Sequence, residues 1–362
     1  MSMTHEFEQT MNGQSDHWAE IPVIDMHLHF VDFMQRTDGI YTQREGSGEP
    51  EAEGLIESMN EGNIAKNIVF GLPVKKKWES FEPIEPSYYL GDNSRCTYFA
   101  STDETVAFNY LQLTEEDQPR IAPTLVGFDP TDMSAIEYVE QMFAKYPFWK
   151  GIGEVLLRHD DLTNLTIGEI ARANHPAMTA VYKFCEDNKL PICIHQNSTN
   201  VASSVASAAT PEYHYLHELK EVLENHPDLL LVWAHCGISR RVEHPEYYKM
   251  VHDMLRDYPN LHVDFSWVAY ENVICEPRAN DSEPLIPKIE WIEEVILPGT
   301  NRFRIMLGSD LCGHFSSQKN PYNHAKTMAR YNGLLRELRK YEEGIDQLIA
   351  FENADRIYFQ TS

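Results

Sequence analysis

Basic residues are scarce in this sequence. Its 362 residues include 30 Lys and Arg against 56 Asp and Glu, so the formal net charge at pH 7 is −26. Phosphate backbones and anionic membrane surfaces are bound through Lys and Arg, and a chain this acidic repels them. The composition therefore argues against nucleic acid and membrane surfaces as partners, and the expected partner is a small-molecule substrate.

Long apolar runs and paired cysteines are also missing. No run approaches the roughly 18 apolar residues of a transmembrane helix, and residues 1–20 lack the basic and apolar segments of a secretory signal. The six cysteines form no CxxC motif, and four of them lie in or beside apolar runs. We therefore expect reduced thiols and a cytoplasmic location.

Apolar runs of strand length recur along the chain and alternate with longer amphipathic stretches. The runs are rich in Val, Ile and Leu, as expected for parallel strands that are buried on both faces. The eight predicted strands are 21–30, 64–72, 120–128, 150–157, 190–195, 229–235, 260–267 and 303–310. The predicted helices are 51–62, 134–146, 175–189, 213–226, 245–258, 286–297, 322–341 and 344–359.

This alternation predicts a parallel α/β fold. An open doubly wound sheet would usually carry a Gly-rich phosphate turn after its first strand, whereas the first strand here ends in His-Leu-His. Eight strand–helix units instead favour a (β/α)8 TIM barrel with long loops at its C-terminal face. We expect one barrel domain over residues 1–362, with residues 1–20 as an N-terminal extension.

The longest loop at the catalytic face covers residues 73–119. It holds eight aromatic residues, and a short helix is predicted within it at 103–112. A long aromatic loop in this position is predicted to be an inserted lid-like segment or a subunit contact, and the second possibility would make the protein a homo-oligomer. The alternative is a surface subdomain with a small core of its own.

Residues with metal-binding side chains stand at the C-terminal ends of five predicted strands. They are His27, His29, Glu154, His195, His235 and Asp310. Each residue type alone is commonly structural at such a place, but parallel strands converge there and would bring all six together. Because uncompensated buried charge is costly, the set predicts a divalent metal. Nitrogen and oxygen donors of this mix suit zinc, with Mn, Fe, Co or Ni as alternatives.

The pattern resembles the amidohydrolase superfamily of metal-dependent hydrolases, in its amidohydrolase-related branch. The resemblance covers nearly the whole chain and lies in the segments IDMHLHF, GIGEV, ICIHQN, VWAHCG, MLGSD and FENADRIY. It implies a (β/α)8 barrel with one or two metal ions at the strand ends. His27, His29, His195 and Asp310 match the family's ligands. His235 matches a position that binds a second metal in binuclear members and polarises the substrate in mononuclear ones.

The fourth strand departs from the family's pattern. Many binuclear relatives have a carboxylated Lys there as the bridging ligand, whereas this chain has Glu154, and Lys150 lies at the opposite end of the strand. Glu154 would either bridge two ions, as a Glu does in TatD-like nucleases, or bind or support a single ion. We expect one strongly held Zn²⁺ and keep two ions as the alternative.

The resemblance implies chemistry at a carbonyl group, in which Asp310 moves a proton and the metal or His235 polarises the substrate. We therefore predict an enzyme, a hydrolase of an amide, lactone or ester bond in a small acidic or aromatic substrate. The alternative is a metal-dependent nonoxidative decarboxylase of an aromatic or unsaturated carboxylic acid. A TatD-like nuclease is disfavoured by the negative charge, and a non-enzymatic binding protein by the intact metal set.

Four further residues are predicted to contact the substrate. Arg158 either holds a substrate carboxylate through a two-pronged hydrogen bond or forms an ordinary ion pair. Gln196, which follows His195, either donates to substrate oxygens or shapes its loop. Trp267 and His314 are candidates for the pocket wall, although core packing is the simpler interpretation of Trp267.

Overall fold

Eight parallel strands form the framework of the protein, one in each apolar run predicted as a strand. They span Val23–His29 (β1), Ile64–Phe70 (β2), Ile121–Pro123 (β3), Ile152–Leu157 (β4), Ile192–Gln196 (β5), Leu231–Trp233 (β6), Leu261–Asp264 (β7) and Ile305–Met306 (β8). In this computed structural model the described residues are 18–30, 33–35, 41–43, 51–77, 95–98, 101–159, 162–165, 168–199, 213–238, 246–266, 269–278, 285–312 and 323–360. Every residue of β1 and β4 is buried, as expected for strands covered on both faces.

Helices occupy the stretches between the strands. The α-helices span Glu51–Gly62 (α1), Thr102–Gln112 (α2), Ala135–Lys145 (α3), Pro176–Asn188 (α4), Leu216–Asn225 (α5), Tyr247–Asp257 (α6), His324–Ala329 (α7), Asn332–Arg339 (α8), Ile345–Gln347 (α9) and Asn353–Tyr358 (α10). The 3-10 turns span Gln118–Arg120, Thr163–Leu165, Ala234–Gly237 and Asn301–Arg304, and π-helical turns span Ala269–Ile274, Trp291–Ile296 and Leu348–Glu352. Within the described ranges, none of the helices has the length and apolar character needed to cross a bilayer.

The helix α4 shows how the local sequence sets these elements. The side chain of His175 accepts a hydrogen bond from the Ala177 amide at 3.2 Å, and Pro176 occupies the first helical position, where no amide donor is needed. The helix ends at Lys189, whose φ of 54° is left-handed. Its buried residues recur at helical spacing and pack on the barrel. They are Ala177, Met178, Val181, Tyr182 and Cys185.

The strands follow one another in barrel order. In one sheet the neighbouring strands are, in order, the two-residue strand Leu311–Cys312, β1, β2 and β3. In the other sheet the order is β8, β7, β6, β5 and β4. A single parallel bridge between Leu125 and Ile152 joins β3 to β4. On the opposite side, the Met26 amide donates to the Leu307 carbonyl at 2.9 Å and joins β1 to the residue after β8. The cyclic order is that of a (β/α)8 barrel, with interrupted pairing at these two joints.

A small apolar cluster fills the inside of the ring. Side chains from six of the strands meet in it, which requires that they point inward. The turn after β6 contributes Ala234, and α10 contributes the rest. Its buried members are Ile24, Met26, Ile68, Phe70, Ala122, Cys193, Val232, Ala234, Met306, Ala354, Ile357 and Tyr358. The larger cluster joins the strands to the helices. The C-terminal strand ends are therefore left as the polar end of the barrel.

The loop predicted at 73–119 is partly described. Val74–Lys77 pairs antiparallel with Arg95–Tyr98, and the predicted helix at 103–112 is confirmed as α2. Residues 1–17 and 78–94 lie outside the described residues. The N-terminal extension and the lid-like role of the loop therefore stay predictions.

The end of β6 turns through consecutive left-handed residues and reaches Gly237 at φ +67°. A Cβ on Gly237 would lie 2.0 Å from the ring of Trp233, which is fully buried and donates through Nε1 to the Gln196 carbonyl. Gly344 also has a left-handed φ, of +84°, but no atom lies within 4 Å of its Cβ position.

We expect Gly237→Ala to destabilise the protein by about 1–3 kcal/mol more than Gly344→Ala, because overpacking adds to the backbone strain that the two changes share. Denaturant unfolding of both variants measures the difference. Equal losses of unfolding free energy in the two variants would contradict this expectation, because the Trp233 ring would then move aside without a cost in free energy.

Candidate metal centre

Six side chains predicted as metal ligands meet at the C-terminal ends of the strands. This carboxylate–histidine cluster consists of His27 and His29 of β1, Glu154 of β4, His195 of β5, His235 after β6 and Asp310 after β8. Five of the six residues are buried, and the side chain of Asp310 is 12% exposed. Asp310 is therefore the carboxylate through which the cluster reaches solvent.

One half of the cluster is formed around β1. The His27 Nε2 atom lies 3.5 Å from Glu154 Oε2 and 3.4 Å from Asp310 Oδ1. The His29 Nε2 atom lies 3.7 Å and 3.2 Å from the same two oxygens. Ligands of a tetrahedral ion with bonds of about 2.0–2.1 Å are about 3.3–3.4 Å apart. These four atoms are called here the first donor set: each imidazole nitrogen lies near the ligand–ligand distance from both carboxylate oxygens. Ligand atoms of His27, His29 and Glu154 all lie within 4.8 Å of one another, as a shared ion would require.

The other half of the cluster uses the remaining carboxylate oxygens. Glu154 Oε1 lies 3.0 Å from His195 Nδ1 and 3.3 Å from His235 Nε2, and Asp310 Oδ2 lies 3.8 Å from His235 Nε2. These atoms form the second donor set. Among the described residues, His195 lies closest to Glu154 and His235 as a candidate ligand. The expectation that it shares one ion with His27 and His29 stays a prediction.

The outer nitrogens of the β1 histidines are held by acceptors. His27 Nδ1 lies 3.1 Å from Asp264 Oδ2, and His29 Nδ1 lies 2.9 Å from the Gly71 carbonyl. Because neither acceptor has a proton to give, each Nδ1 must be the donor. Each Nε2 is thereby presented to the cluster as a lone pair, which is the arrangement that metal-binding imidazoles require.

The remaining two histidines are oriented in the same way. The Ser266 hydroxyl donates to Asp264 and therefore accepts from His235 Nδ1, at 2.5 Å, so that His235 Nε2 faces inward. His195 is turned the other way round: its Nε2 lies 3.0 Å from Asn197 Oδ1, and its Nδ1 faces Glu154. The neutral rings of His27, His29 and His235 would therefore present a lone pair to the carboxylates, whereas His195 faces Glu154 with its Nδ1 at hydrogen-bond distance.

The cluster contains an unsatisfied buried atom, the Nε2 of His27. The carboxylate oxygens of Glu154 and Asp310 face it, but none completes a hydrogen bond. Burying a polar nitrogen without a hydrogen-bond partner costs free energy, unless another species occupies the space between these atoms and binds it. A divalent cation fits the donor types and their spacing.

The buried carboxylates also require positive charge. Burial alone would raise the pKa of Glu154, but His27 and the other imidazoles hold it well below its usual value. Burial alone would lower the pKa of His27, but Glu154 and Asp264 outweigh it and raise that pKa well above its usual value. Likewise, burial would raise the pKa of Asp310, but His235 with its neighbours holds it far below its usual range. Bound protons or a bound cation must supply the positive charge that compensates these carboxylates.

Two residues of the cluster sit on left-handed backbone. His235 has a φ of 53° and Asp310 a φ of 51°, which is uncommon for residues other than Gly. Backbone hydrogen bonds hold both: the His235 amide donates to Asp264 at 3.1 Å, and the Asp310 amide donates to the His27 carbonyl at 2.7 Å. Strained backbone of this kind is concentrated at functional sites.

Asp264 is a site residue that the sequence analysis did not select. It is fully buried and accepts from His27 Nδ1, from the His235 amide and from the amide and hydroxyl of Ser266. It therefore orients two imidazoles without belonging to either donor set. The only sequence signal was its position at the end of β7.

The predicted substrate residue Arg158 pairs with a helix. Its Nε lies 2.9 Å from Glu218 of α5, its Nη2 contacts the same carboxylate, and its guanidinium lies 4.3 Å from the centre of the Tyr215 ring. The ion-pair interpretation of Arg158 thus describes its observed contacts. Gln196 is fully buried, donates to Glu218 and accepts from the Ala173 amide. This geometry does not support a substrate contact for Gln196, because both ends of its amide are bound elsewhere.

The remaining candidates are placed as follows. Trp267 and His314 lie outside the described residues, so their roles stay predictions. The partly exposed ring of His159 stacks on His195, with centroids 4.3 Å apart. Burial raises the pKa of the Cys193 and Cys236 thiols well above the usual value, which argues against a thiolate nucleophile.

We expect Asp264→Asn to weaken divalent-metal binding by about 10–100-fold, the usual effect of losing the group that orients a ligand. Asn retains one acceptor oxygen but places an amide donor against either His27 or the backbone amides. Chelator competition with metal analysis measures the affinity. The exposed Asp257→Asn serves as control, and equal affinities of the two folded variants would contradict the orienting role.

The chain is similar in fold to several solved structures. A solved amidohydrolase from Burkholderia multivorans with bound Zn has 16% identity and a TM-score of 0.53, covering 93% of this chain and 99% of its own. A 4-oxalomesaconate hydratase from Rhodopseudomonas palustris has 14% identity and a TM-score of 0.52, covering 93% and 95%. An uncharacterized TIM-barrel protein from Bordetella bronchiseptica has 17% identity and a TM-score of 0.52, covering 93% and 98%.

At these identities the solved structures show the fold alone, and they confirm the predicted TIM barrel. No curated protein matches the chain in sequence. The profile of the family described as Amidohydrolase matches residues 156–359, which is more than half of the chain. The predicted family is therefore confirmed: the protein belongs to the amidohydrolase family, whose members are metal-dependent enzymes and largely hydrolases.

Proposed function

We propose that this protein is a metal-dependent hydrolase that activates water to cleave an amide, lactone or ester bond of a small carbonyl compound. The observation that supports this is the position of Asp310. Its two oxygens face imidazoles of both donor sets, and its side chain is the carboxylate of the cluster that reaches solvent. A carboxylate in that position can exchange a proton with water and with a bound substrate.

The first donor set would hold a cation through His27, His29, Glu154 and Asp310. A divalent cation supplies Lewis acidity there: it lowers the pKa of water towards about 7 and polarises a carbonyl oxygen. The protein's own part is proton transfer. Asp310 accepts a proton at a carboxylate oxygen as water attacks the substrate carbonyl, and it delivers that proton to the leaving nitrogen or oxygen. The negative charge of buried Glu154 would balance part of the positive charge of the cation.

The role of His235 depends on the number of ions. Its Nε2 faces Glu154 Oε1 at 3.3 Å and Asp310 Oδ2 at 3.8 Å, so it can complete the second donor set with His195. With the first set alone occupied, His235 in its protonated form would donate from the same nitrogen to the substrate carbonyl. Because each carboxylate presents one oxygen to each half of the cluster, we propose that the site would hold two divalent ions, one in each donor set, in place of the single ion expected from the sequence. Zinc suits this donor mix best.

We expect two equivalents of Zn²⁺ per chain after metal loading and removal of excess ion, and close to one equivalent for Glu154→Gln, which keeps the shape of the side chain but loses its charge. Elemental analysis by mass spectrometry gives both numbers. The exposed Glu137→Gln is the control. One equivalent in the wild type would overturn the two-ion arrangement and leave the hydrolase proposal standing.

We expect Asp310→Asn to reduce kcat/KM by about 10²–10⁴ at saturating metal, because Asn has no group that takes up a proton at neutral pH. Activity is measured on the best substrate from a panel of amides, lactones and aryl esters, with metal content determined in the same samples. Normal metal content with turnover within about threefold of the wild type would refute the proton-transfer role.

The reaction type is tested with the wild-type enzyme in ¹⁸O-labelled water. Hydrolysis must place the label in the product carboxylate. Release of CO2 from an aromatic or unsaturated acid, without hydrolysis of any panel substrate, would favour the decarboxylase alternative and contradict the hydrolase proposal.

We also propose a cytoplasmic location with a small molecule as the partner. The proposal is supported by the state of the described cysteines. Cys185, Cys193, Cys236 and Cys275 are free and buried, as expected for a protein that keeps its thiols reduced.

A further inference from the structure

A second group of buried polar side chains lies on the far side of β1 from the carboxylate–histidine cluster and has no part in the chemistry proposed above. It consists of Asp25, Ser58, Ser309 and His324, called here the Asp25 network. None of the four is more than 1% exposed. They come from β1, α1, the segment after β8, and α7, so the network ties together four separate parts of the chain.

The carboxylate of Asp25 is saturated with donors. Its Oδ1 accepts from the amides of His27, at 3.0 Å, and Ser309, at 2.8 Å. Its Oδ2 accepts from the Ser309 hydroxyl at 2.5 Å and lies 2.8 Å from His324 Nε2. A carboxylate offers about four acceptor positions, and all of them are used here. Since Asp25 has no proton to give, His324 Nε2 must donate to it.

The opposite nitrogen of the His324 ring is anchored as well. His324 Nδ1 lies 3.0 Å from the hydroxyl of Ser58, which sits on α1 and lies 2.8 Å from the Leu55 carbonyl of the same helix. The imidazole is thus held between α1 and Asp25. Any movement of this ring would shift the carboxylate that binds the two amides.

Those two amides belong to the backbone that places the first donor set. His27 is itself a candidate ligand, and Ser309 immediately precedes Asp310. This is also the joint where pairing between β1 and β8 is interrupted. The Asp25 carboxylate bridges the gap together with a hydrogen bond from the Asp310 amide to the His27 carbonyl, at 2.7 Å. The Ser309 hydroxyl, which donates to Asp25, lies 3.2 Å from the same carbonyl.

We propose that Asp25 and His324 form a positioning pair that sets the separation of His27 and Asp310, and through it the affinity and geometry of the cation in the first donor set. The proposal rests on the metal site put forward above. It assigns the pair no contact with substrate, because both residues are fully buried behind β1.

The test uses Co²⁺, whose visible absorption bands report on its ligand geometry. We expect His324→Phe, which keeps a ring but loses both hydrogen bonds, to weaken Co²⁺ binding by about 10–100-fold and to shift the absorption bands. His324→Gln can still donate towards Asp25 and should restore part of the affinity. The control is His226→Phe, which removes another histidine–carboxylate contact, to Glu186 at 3.0 Å, between outer helices. The control should affect stability but neither the affinity nor the spectrum.

A folded His324→Phe with the affinity and spectrum of the wild type would overturn the proposal. If that variant does not fold, Ser58→Ala decides, because it removes only the anchor of Nδ1: a shift in the Co²⁺ spectrum supports the proposal, and an unchanged spectrum and affinity overturn it. Failure of the wild type itself to bind Co²⁺ or Zn²⁺ would instead refute the proposed metal-dependent function. No substrate is needed for any of these measurements.

Discussion

Charge balance among buried carboxylates and imidazoles is the constraint on which the rest of the structure depends. Glu154, Asp264 and Asp310 place acidic groups together in a largely buried cluster at the C-terminal end of the barrel, where unpaired charge is costly. The surrounding histidines can compensate this negative charge only by taking up protons, and the pKa of His27 is raised for that reason. A cation relieves it without protonation and leaves the imidazole lone pairs free to bind. The arrangement is therefore best explained as a metal site, in agreement with the metal dependence of the family.

The barrel supplies this arrangement by close approach of strand ends. At Gly153 a Cβ would lie 2.4 Å from the carbonyl oxygen of Cys193, and φ is +126°, so β4 and β5 meet there without side-chain bulk between them. The residue that follows, Glu154, is thereby brought within 3.0 Å of His195. Gly153 therefore contributes to the site, because the lack of a side chain lets β4 come close enough to β5 for Glu154 to reach His195.

The strands and the six cluster residues could be predicted because they depend on local pattern. Runs of Val, Ile and Leu identify buried parallel strands, and chain direction places their last residues at one end. Pairings between distant residues could not be predicted in this way. Glu218 lies 60 residues beyond Arg158, and His324 lies 299 residues beyond Asp25. These two pairs form only when the helices that carry Glu218 and His324 pack against the barrel.

The division of the cluster into two donor sets was equally beyond the sequence, because it depends on the rotation of single carboxylates. Strand alternation aims Glu154 inward, but only the three-dimensional structure shows Oε2 facing the β1 histidines while Oε1 faces His195 and His235. A lysine in this position could bridge two ions only after carboxylation. A glutamate carries both oxygens from the start, so bridging requires no added CO2. The Glu154 carboxylate can therefore face both donor sets without modification.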